Sequence, residues 1–179
     1  MHDFERERID EIRRTHLFDL AKKRNVSSDA CDQITLEKDH ASRTATIWIQ
    51  NTEFKNALTG KMIAQLTDVL DELYEWPSGR TVIIRGRENA FCSGFDLVSA
   101  RASGNHTYGE YLAQVMQYNL RRLQSLPMLS VAFIEGYALG GGAELALGAD
   151  IRLVTGKYNE VNHFLVRAKK LINFSRSQL

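Results

Sequence analysis

The feature that most limits what this chain can fold into is a design it uses twice. A short apolar run leads into a glycine-bearing turn, and the turn leads into a helix-forming stretch. The first copy is IIRGRENAFCSGFDL, Ile83 to Leu97, with Gly94 directly after Ser93. The second is VAFIEGYALGGGAEL, Val131 to Leu145, with a triplet at Gly140, Gly141 and Gly142. Glycine loses more backbone freedom on folding than any other residue, so a triplet ahead of a helix needs a local reason. Two reasons are open: backbone packs tightly on backbone there, or amide N–H groups are left accessible to something that approaches them. A helix N-terminus favours the second use, because its dipole and orphan N–H groups suit negative charge. Two N–H groups converging from separate turns would form an oxyanion hole, which stabilises charge developing on a carbonyl oxygen.

The segments around these turns read as strands alternating with helices. ITLEKD (34–39) and RTATIWIQN (43–51) carry the β-branched and aromatic residues that strands favour, joined by a polar turn. LTGKMIAQLTDVLDELYEW (58–76) places Met62, Ile63, Leu66, Val69, Leu70 and Leu73 at helical spacing. Thr59 suits its N-cap, and Pro77 stops it. RTVIIRG (80–86) and MLSVAFIEG (128–136) read as buried strands, TYGEYLAQVMQYNLRRLQSL (107–126) as a second long helix, and DIRLVT (150–155) as a further strand. Such alternation predicts an α/β fold with crossover connections.

Composition narrows the function classes. The chain has 179 residues, 44% hydrophobic and 25% charged, with a formal net charge of +1, which suits a globular domain with a real core and not a general nucleic-acid binder. No apolar run approaches the length of a membrane span, so neither nucleic acid nor membrane is an expected partner. Cys31 and Cys92 give neither a metal-ligand spacing nor a disulfide framework, and no metal site is expected. The N-terminal 25 residues are arginine-rich, but Asp3, Glu5, Glu7, Asp10 and Glu11 are wrong for a mitochondrial transit peptide. A cytosolic location is the expectation, with residues 1–30 forming an amphipathic helical extension.

AFCSGFDL together with EGYALGGGAELALGADIRLVT resembles the crotonase (enoyl-CoA hydratase/isomerase) superfamily, and EFKNAL (53–58) resembles that family's segment near the acyl-CoA adenine pocket. The resemblance covers about Ile34 to Thr155. It implies a crotonase-like ββα spiral, an acyl-CoA partner and substrate, no cofactor beyond that thioester, and a homotrimeric assembly. Family members continue well past this length, so residues 31–155 are expected to be a partial acyl-CoA-binding core, truncated after about Thr155. Residues 156–179 are expected to be a basic tail foreign to the family. Within that tail Val161, Phe164, Leu165, Ala168 and Leu171 fall at the spacing of an amphipathic helix.

By this resemblance the N–H groups of Ser93 and Gly141 form the oxyanion hole for the thioester oxygen. Ser93, Gly94, Phe95 and Asp96 line the thiol arm of CoA, with Gly140 and Gly141 across from them, and Lys55 and Ala57 stand near the nucleotide end. EWPSGRTVIIRGRENAFCSGFDL and LPMLSVAFIEGYALGGGAEL are most similar to the superfamily's carboxy-lyases. That implies decarboxylation of ethylmalonyl-CoA or methylmalonyl-CoA through an enolate, a metabolite-repair reaction. Two alternatives stand beside it: an enoyl-CoA hydratase/isomerase, and an inactive truncated isoform acting only as an interaction fragment. Glu144 is the side chain of interest, either as a proton donor to the enolate or as a first-turn residue favoured by the helix dipole. Cys92 reads as core packing, Asp96 as a helix N-cap, Tyr137 as either a turn aromatic or a site neighbour, and His106 and His163 as surface residues.

Overall fold

The computed structural model describes residues 7, 32–96, 106–155 and 171–174. Six strands form one sheet in chain order: β1 (Gln33–Asp39), β2 (Thr44–Gln50), β3 (Thr81–Gly86), β4 (Leu129–Glu135), β5 (Ile151–Thr155) and β6 (Leu171–Phe174). β1 and β2 are an antiparallel hairpin, and every later neighbour is parallel. A parallel neighbour requires a crossover. Between β2 and β3 it contains a 3-10 turn at Thr52–Phe54 and helix α1 (Gly60–Tyr74). The next two contain α2 (His106–Gln124) and α3 (Gly141–Gly148).

The hairpin turn is organised by Asp39, whose carboxylate accepts from the Ser42 hydroxyl at 2.7 Å and from the Ala41 and Ser42 N–H groups at 2.9 and 3.3 Å. Those three donors, the Ser42 hydroxyl foremost, hold its pKa below the ordinary value. Strand residues then alternate as the pleat dictates. Ala45, Ile47 and Ile49 of β2, Val82 and Ile84 of β3, and Ala132 and Ile134 of β4 are fully buried on one face. The opposite face is only half-buried, so β3 is not the uniformly buried strand its apolar run suggests. There Arg85 lies over both Trp48 and Phe133 at 4.7 Å and pairs with Glu135 at 3.0 Å, while Arg87 stacks on Trp48 at 3.6 Å.

Helix α1 forms where the apolar period predicts. The Thr59 side chain accepts the Met62 N–H at 3.3 Å as an N-cap, and Met62, Ile63, Leu66, Leu70 and Leu73 are buried in the core. Its contact with α2 is partly polar. Asn119, only 1% exposed, donates from Nδ2 to the Ile63 carbonyl at 2.9 Å and its Oδ1 accepts the Thr67 hydroxyl at 2.9 Å. Ser130 and Asp150 tie the starts of β4 and β5 together through the Ser130 N–H and hydroxyl, at 2.9 and 2.8 Å from the carboxylate.

The sheet continues past Thr155: Leu171–Phe174 pairs in parallel with Arg152–Thr155. Leu171, expected at the end of an amphipathic helix, is instead the first residue of a strand, because pairing with β5 satisfies its backbone. The rest of that expected helix, and the N-terminal helix except for residue 7, lie outside the described residues.

Candidate active site

Both glycine-bearing turns leave the sheet at the same end and are sewn together by backbone hydrogen bonds. The Tyr137 carbonyl accepts the N–H groups of Phe91 and Cys92 at 3.1 and 2.9 Å, and the Leu139 N–H returns to the Cys92 carbonyl at 3.0 Å. The result is a parallel bridge between Cys92 and Ala138. Tyr137 takes part through its carbonyl, with its side chain exposed. A second bridge joins Leu58 to Phe95: the Leu58 N–H donates to Gly94 at 2.7 Å, and the Asp96 N–H to Leu58 at 2.9 Å. Three segments, 54–58, 91–96 and 137–142, are thus laid edge to edge beyond the strand ends. In parallel α/β sheets this is where ligands bind.

The glycine triplet has a separate reason at each position. Gly140 has φ +48° and ψ −122°, a conformation for glycine alone, and a Cβ there would meet nothing nearer than Gly94 Cα at 4.0 Å. Gly141 lies against the Phe95 ring, and Gly142 lies so close to Cys92 that a Cβ would come within 2.4 Å of its carbonyl oxygen. Both open readings of the triplet therefore hold, at different residues. Gly142 is backbone packed on backbone, and Gly140 leaves an open approach. Gly141 is the first residue of α3, so its N–H has no intrahelical acceptor. A Cβ on Gly94 would lie 3.5 Å from that nitrogen. Gly94, the residue after Ser93, thus lies beside Gly141.

The N–H groups of Ser93 and Gly141 are not in the same state. No backbone carbonyl among the described residues takes the Gly141 N–H, whereas the Ser93 N–H donates to the Lys55 carbonyl at 3.0 Å. The Ser93 hydroxyl donates to the Phe54 carbonyl at 2.9 Å. Lys55 has an exposed side chain and a left-handed backbone at φ 54°. Ala57 is buried, its N–H given to Phe54 at 3.1 Å and its carbonyl taken by Asn51 Nδ2 at 2.8 Å. Glu144 is exposed one turn into α3, past the open Gly141 N–H.

Asn56 was not among the residues the sequence singled out. It is fully buried, its Oδ1 accepting the Asn51 N–H at 2.9 Å and its Nδ2 donating to the Arg87 and Ala90 carbonyls at 2.8 and 2.7 Å. It pins the 51–57 segment to the loop that leads into Ser93. The available signal was chemical: asparagine tolerates the left-handed backbone it adopts here, at φ 58°. Cys92 is core, as expected, and burial pushes its thiol up to about 12, which makes it a poor nucleophile. Asp96 is buried near Tyr108, whose phenol is pushed up to about 12, by burial first and by the Asp96 charge second. A helix that Asp96 could cap, and the side chains of His106 and His163, fall outside the described residues. Among the described residues no cluster of His, Cys, Asp and Glu is placed to hold a metal ion. No helix there is long and apolar enough to cross a membrane.

Comparison with known proteins places this arrangement. The family model for enoyl-CoA hydratase/isomerase matches residues 39–159, which takes in all three segments of the site. The chain belongs to the enoyl-CoA hydratase/isomerase family. Among its crotonase relatives is the ethylmalonyl-CoA decarboxylase of Xenopus tropicalis, 46% identical over 111 residues, covering 62% of this chain and 37% of that protein. The Xenopus laevis enzyme of the same name is 41% identical over 142 residues, covering 79% and 47%. Among solved structures, an enoyl-CoA hydratase from Mycobacterium smegmatis superposes with a TM-score of 0.65 at 28% identity, over 68% of this chain and 47% of that one. An enoyl-CoA hydratase/isomerase from Xanthobacter autotrophicus Py2 gives 0.63 at 29%, over 68% and 45%. The fold is thus crotonase-like, and the chain spans less than half the length of the relatives it matches.

Proposed function

We propose that this chain is a crotonase-type carboxy-lyase acting on ethylmalonyl-CoA and methylmalonyl-CoA, working in the cytosol to remove such carboxylated acyl-CoA molecules. The observation that carries the reading is the 46% identity, over 111 residues, to a protein named for that decarboxylation. The broader hydratase/isomerase reading has only the family model and structures at lower identity behind it.

The chemistry suits the geometry. In decarboxylation the bond between the α-carbon and the carboxylate breaks and CO2 leaves. The electron pair moves through the α-carbon onto the thioester oxygen as an enolate. The Gly141 N–H would stabilise that oxygen together with a second N–H from the facing 93–96 turn, where the Ser93 N–H itself is already given to Lys55, and removing one such donor in other enzymes costs about 3–4 kcal/mol of barrier. A proton must then reach the α-carbon, and Glu144 is the carboxyl we assign to deliver it.

The test is CO2 release from ethylmalonyl-CoA, combined with thermal melting in a nonreactive malonyl-CoA analogue. Ligand at about a hundred times its dissociation constant adds about 2.7 kcal/mol to a folded binder. CO2 release with an upward melting shift is expected. A shift without CO2 would favour hydratase/isomerase chemistry, and a broad, ligand-indifferent melt would favour the inactive fragment. Glu144→Gln should lower CO2 release about 10²–10⁴-fold while leaving analogue binding intact. Undiminished release would remove Glu144 from the mechanism.

A further inference from the structure

We infer that Phe95 is a specificity-determining residue of this site: its ring is an apolar wall beside the Gly141 N–H that takes the α-alkyl branch of the substrate, so that alkylated malonyl thioesters are preferred to the unbranched one. This deepens, and rests on, the proposed reading of the site as a thioester decarboxylase. A Cβ built on Gly141 would meet ring carbons of Phe95 at 2.9, 3.1 and 3.2 Å, and these are its nearest neighbours. In a helix the Cα–Cβ bond tilts towards the N-terminus, which is also the end that the first N–H groups face. Gly141 opens α3, so the ring stands at the mouth of that helix, on the side from which a thioester oxygen would reach the Gly141 N–H. Gly140 leaves the approach open, since a Cβ there would meet nothing nearer than Gly94 Cα at 4.0 Å.

The ring is a fixed surface. Hydrogen bonds bracket its backbone: the Leu58 N–H donates to the Gly94 carbonyl at 2.7 Å and the Asp96 N–H to the Leu58 carbonyl at 2.9 Å. The side chain packs against the core yet stays only half-buried, which leaves apolar area for a ligand to cover. The α-carbon of a malonyl thioester is two bonds from the carbonyl oxygen and carries the carboxylate and, in ethylmalonyl-CoA, an ethyl group. A ring offers that carboxylate neither charge nor hydrogen bond, and covering an ionised group without a partner is costly. Covering the ethyl group is favourable in proportion to the apolar area removed from water. The ring therefore takes the alkyl branch, and the carboxylate is turned away from it.

The experiment uses the full chain and two nonreactive CoA analogues, one of malonyl-CoA and one of ethylmalonyl-CoA, with binding measured by calorimetry. Wild type should bind the ethyl analogue about 10-fold more tightly or better, the scale of a methylene in a fitted apolar pocket. Phe95→Ala should reduce that preference to within about 2-fold, mainly by weakening the ethyl analogue, while Phe95→Leu should keep most of it. A ring that only supports the fold would weaken both analogues alike when removed, so the ratio is diagnostic where the absolute affinity is not. If circular dichroism shows that Phe95→Ala does not hold its fold, Phe95→Gln takes its place, keeping bulk and removing the apolar face. No ethyl preference in wild type, or a preference unchanged by the substitution, overturns the role of Phe95 and leaves the thioester reading standing. Failure of wild type to bind either analogue overturns that reading and the role of Phe95 with it.

Discussion

Substituting Gly142 by alanine tests whether the donor turns are held by the close approach seen at their seam. A Cβ at Gly142 would come 2.4 Å from the Cys92 carbonyl oxygen, 2.7 Å from its Cβ and 2.9 Å from its carbonyl carbon. Ordinary contact begins at 3.4 Å, so the two segments have to part by about 1 Å. None of the opposing atoms is the far end of a flexible side chain, and Cys92 is fully buried, so little can yield. That separation would stretch the bond from the Leu139 N–H to the Cys92 carbonyl, now 3.0 Å, beyond hydrogen-bond range. Overpacking of this kind costs about 1–3 kcal/mol, and a buried group left unpaired a further ~1–3 kcal/mol. Alanine's better helix propensity returns about 1 kcal/mol, for a net loss of about 1–5 kcal/mol. At a mid-range loss of about 3 kcal/mol and a mid-range urea slope of about 2 kcal/mol per molar, the unfolding midpoint should fall by roughly 1.5 M. Gly109→Ala is the control: it lies in α2 with nothing within 4 Å of an added Cβ, and it should stabilise by about 0.5–1 kcal/mol. A Gly142→Ala midpoint at or above that of wild type would show that the seam is not where the turns are fixed.

Asn119→Ala removes two buried hydrogen bonds between α1 and α2, to the Ile63 carbonyl and from the Thr67 hydroxyl, and should cost about 1–3 kcal/mol by chemical denaturation with the sheet unchanged by circular dichroism. Thr59→Ala removes the α1 cap and its hydroxyl's bond to Asp32 at 2.9 Å, and should lower stability by about 1–2 kcal/mol. Cys92 and Tyr108 both have folded pKa values raised to about 12, from 9.0 and 10.0. Their contribution is therefore fully present below about pH 9 and is lost as pH rises towards 12, because the unfolded chain releases those protons first. Melting temperature followed upward from pH 8 should decline, and the early part of the decline should disappear in Cys92→Ala. A flat profile to pH 11 would contradict the burial argument.

The parts of the fold set by local period and capping were legible in the sequence. Met62 to Leu73 fixed α1 to within two residues at either end, and Thr59 caps it as its side-chain chemistry predicts. What escaped was set by partners distant in the chain. Nothing in the local pattern marks Asn119, which is buried because two groups on α1 complete its hydrogen bonds. Leu171 read as the end of a helical stripe, yet parallel pairing with β5 claims it. In the site, glycine spacing located both turns that meet at the seam. It could not show that the Ser93 N–H is given to Lys55, since that bond depends on a left-handed turn some forty residues earlier in the chain.

The candidate site is made almost wholly of backbone, and this decides where its chemistry can vary. The groups that would meet the thioester oxygen are amide N–H groups, so the surrounding side chains act by aiming them. Asn56 fixes the loop that precedes Ser93, the Phe95 ring lies under Gly141, and Cys92 packs against Gly142. Such a frame stabilises negative charge on a carbonyl oxygen whichever bond to the α-carbon is broken. That is how one frame is shared by relatives named as decarboxylases and as hydratases. The choice among reactions falls to the groups that deliver or remove protons around the frame, and Glu144, on the first turn of α3, is the carboxyl we propose for that role. Substitutions that re-aim the N–H groups should therefore depress every thioester reaction together, while changes at Glu144 should slow turnover and leave analogue binding intact.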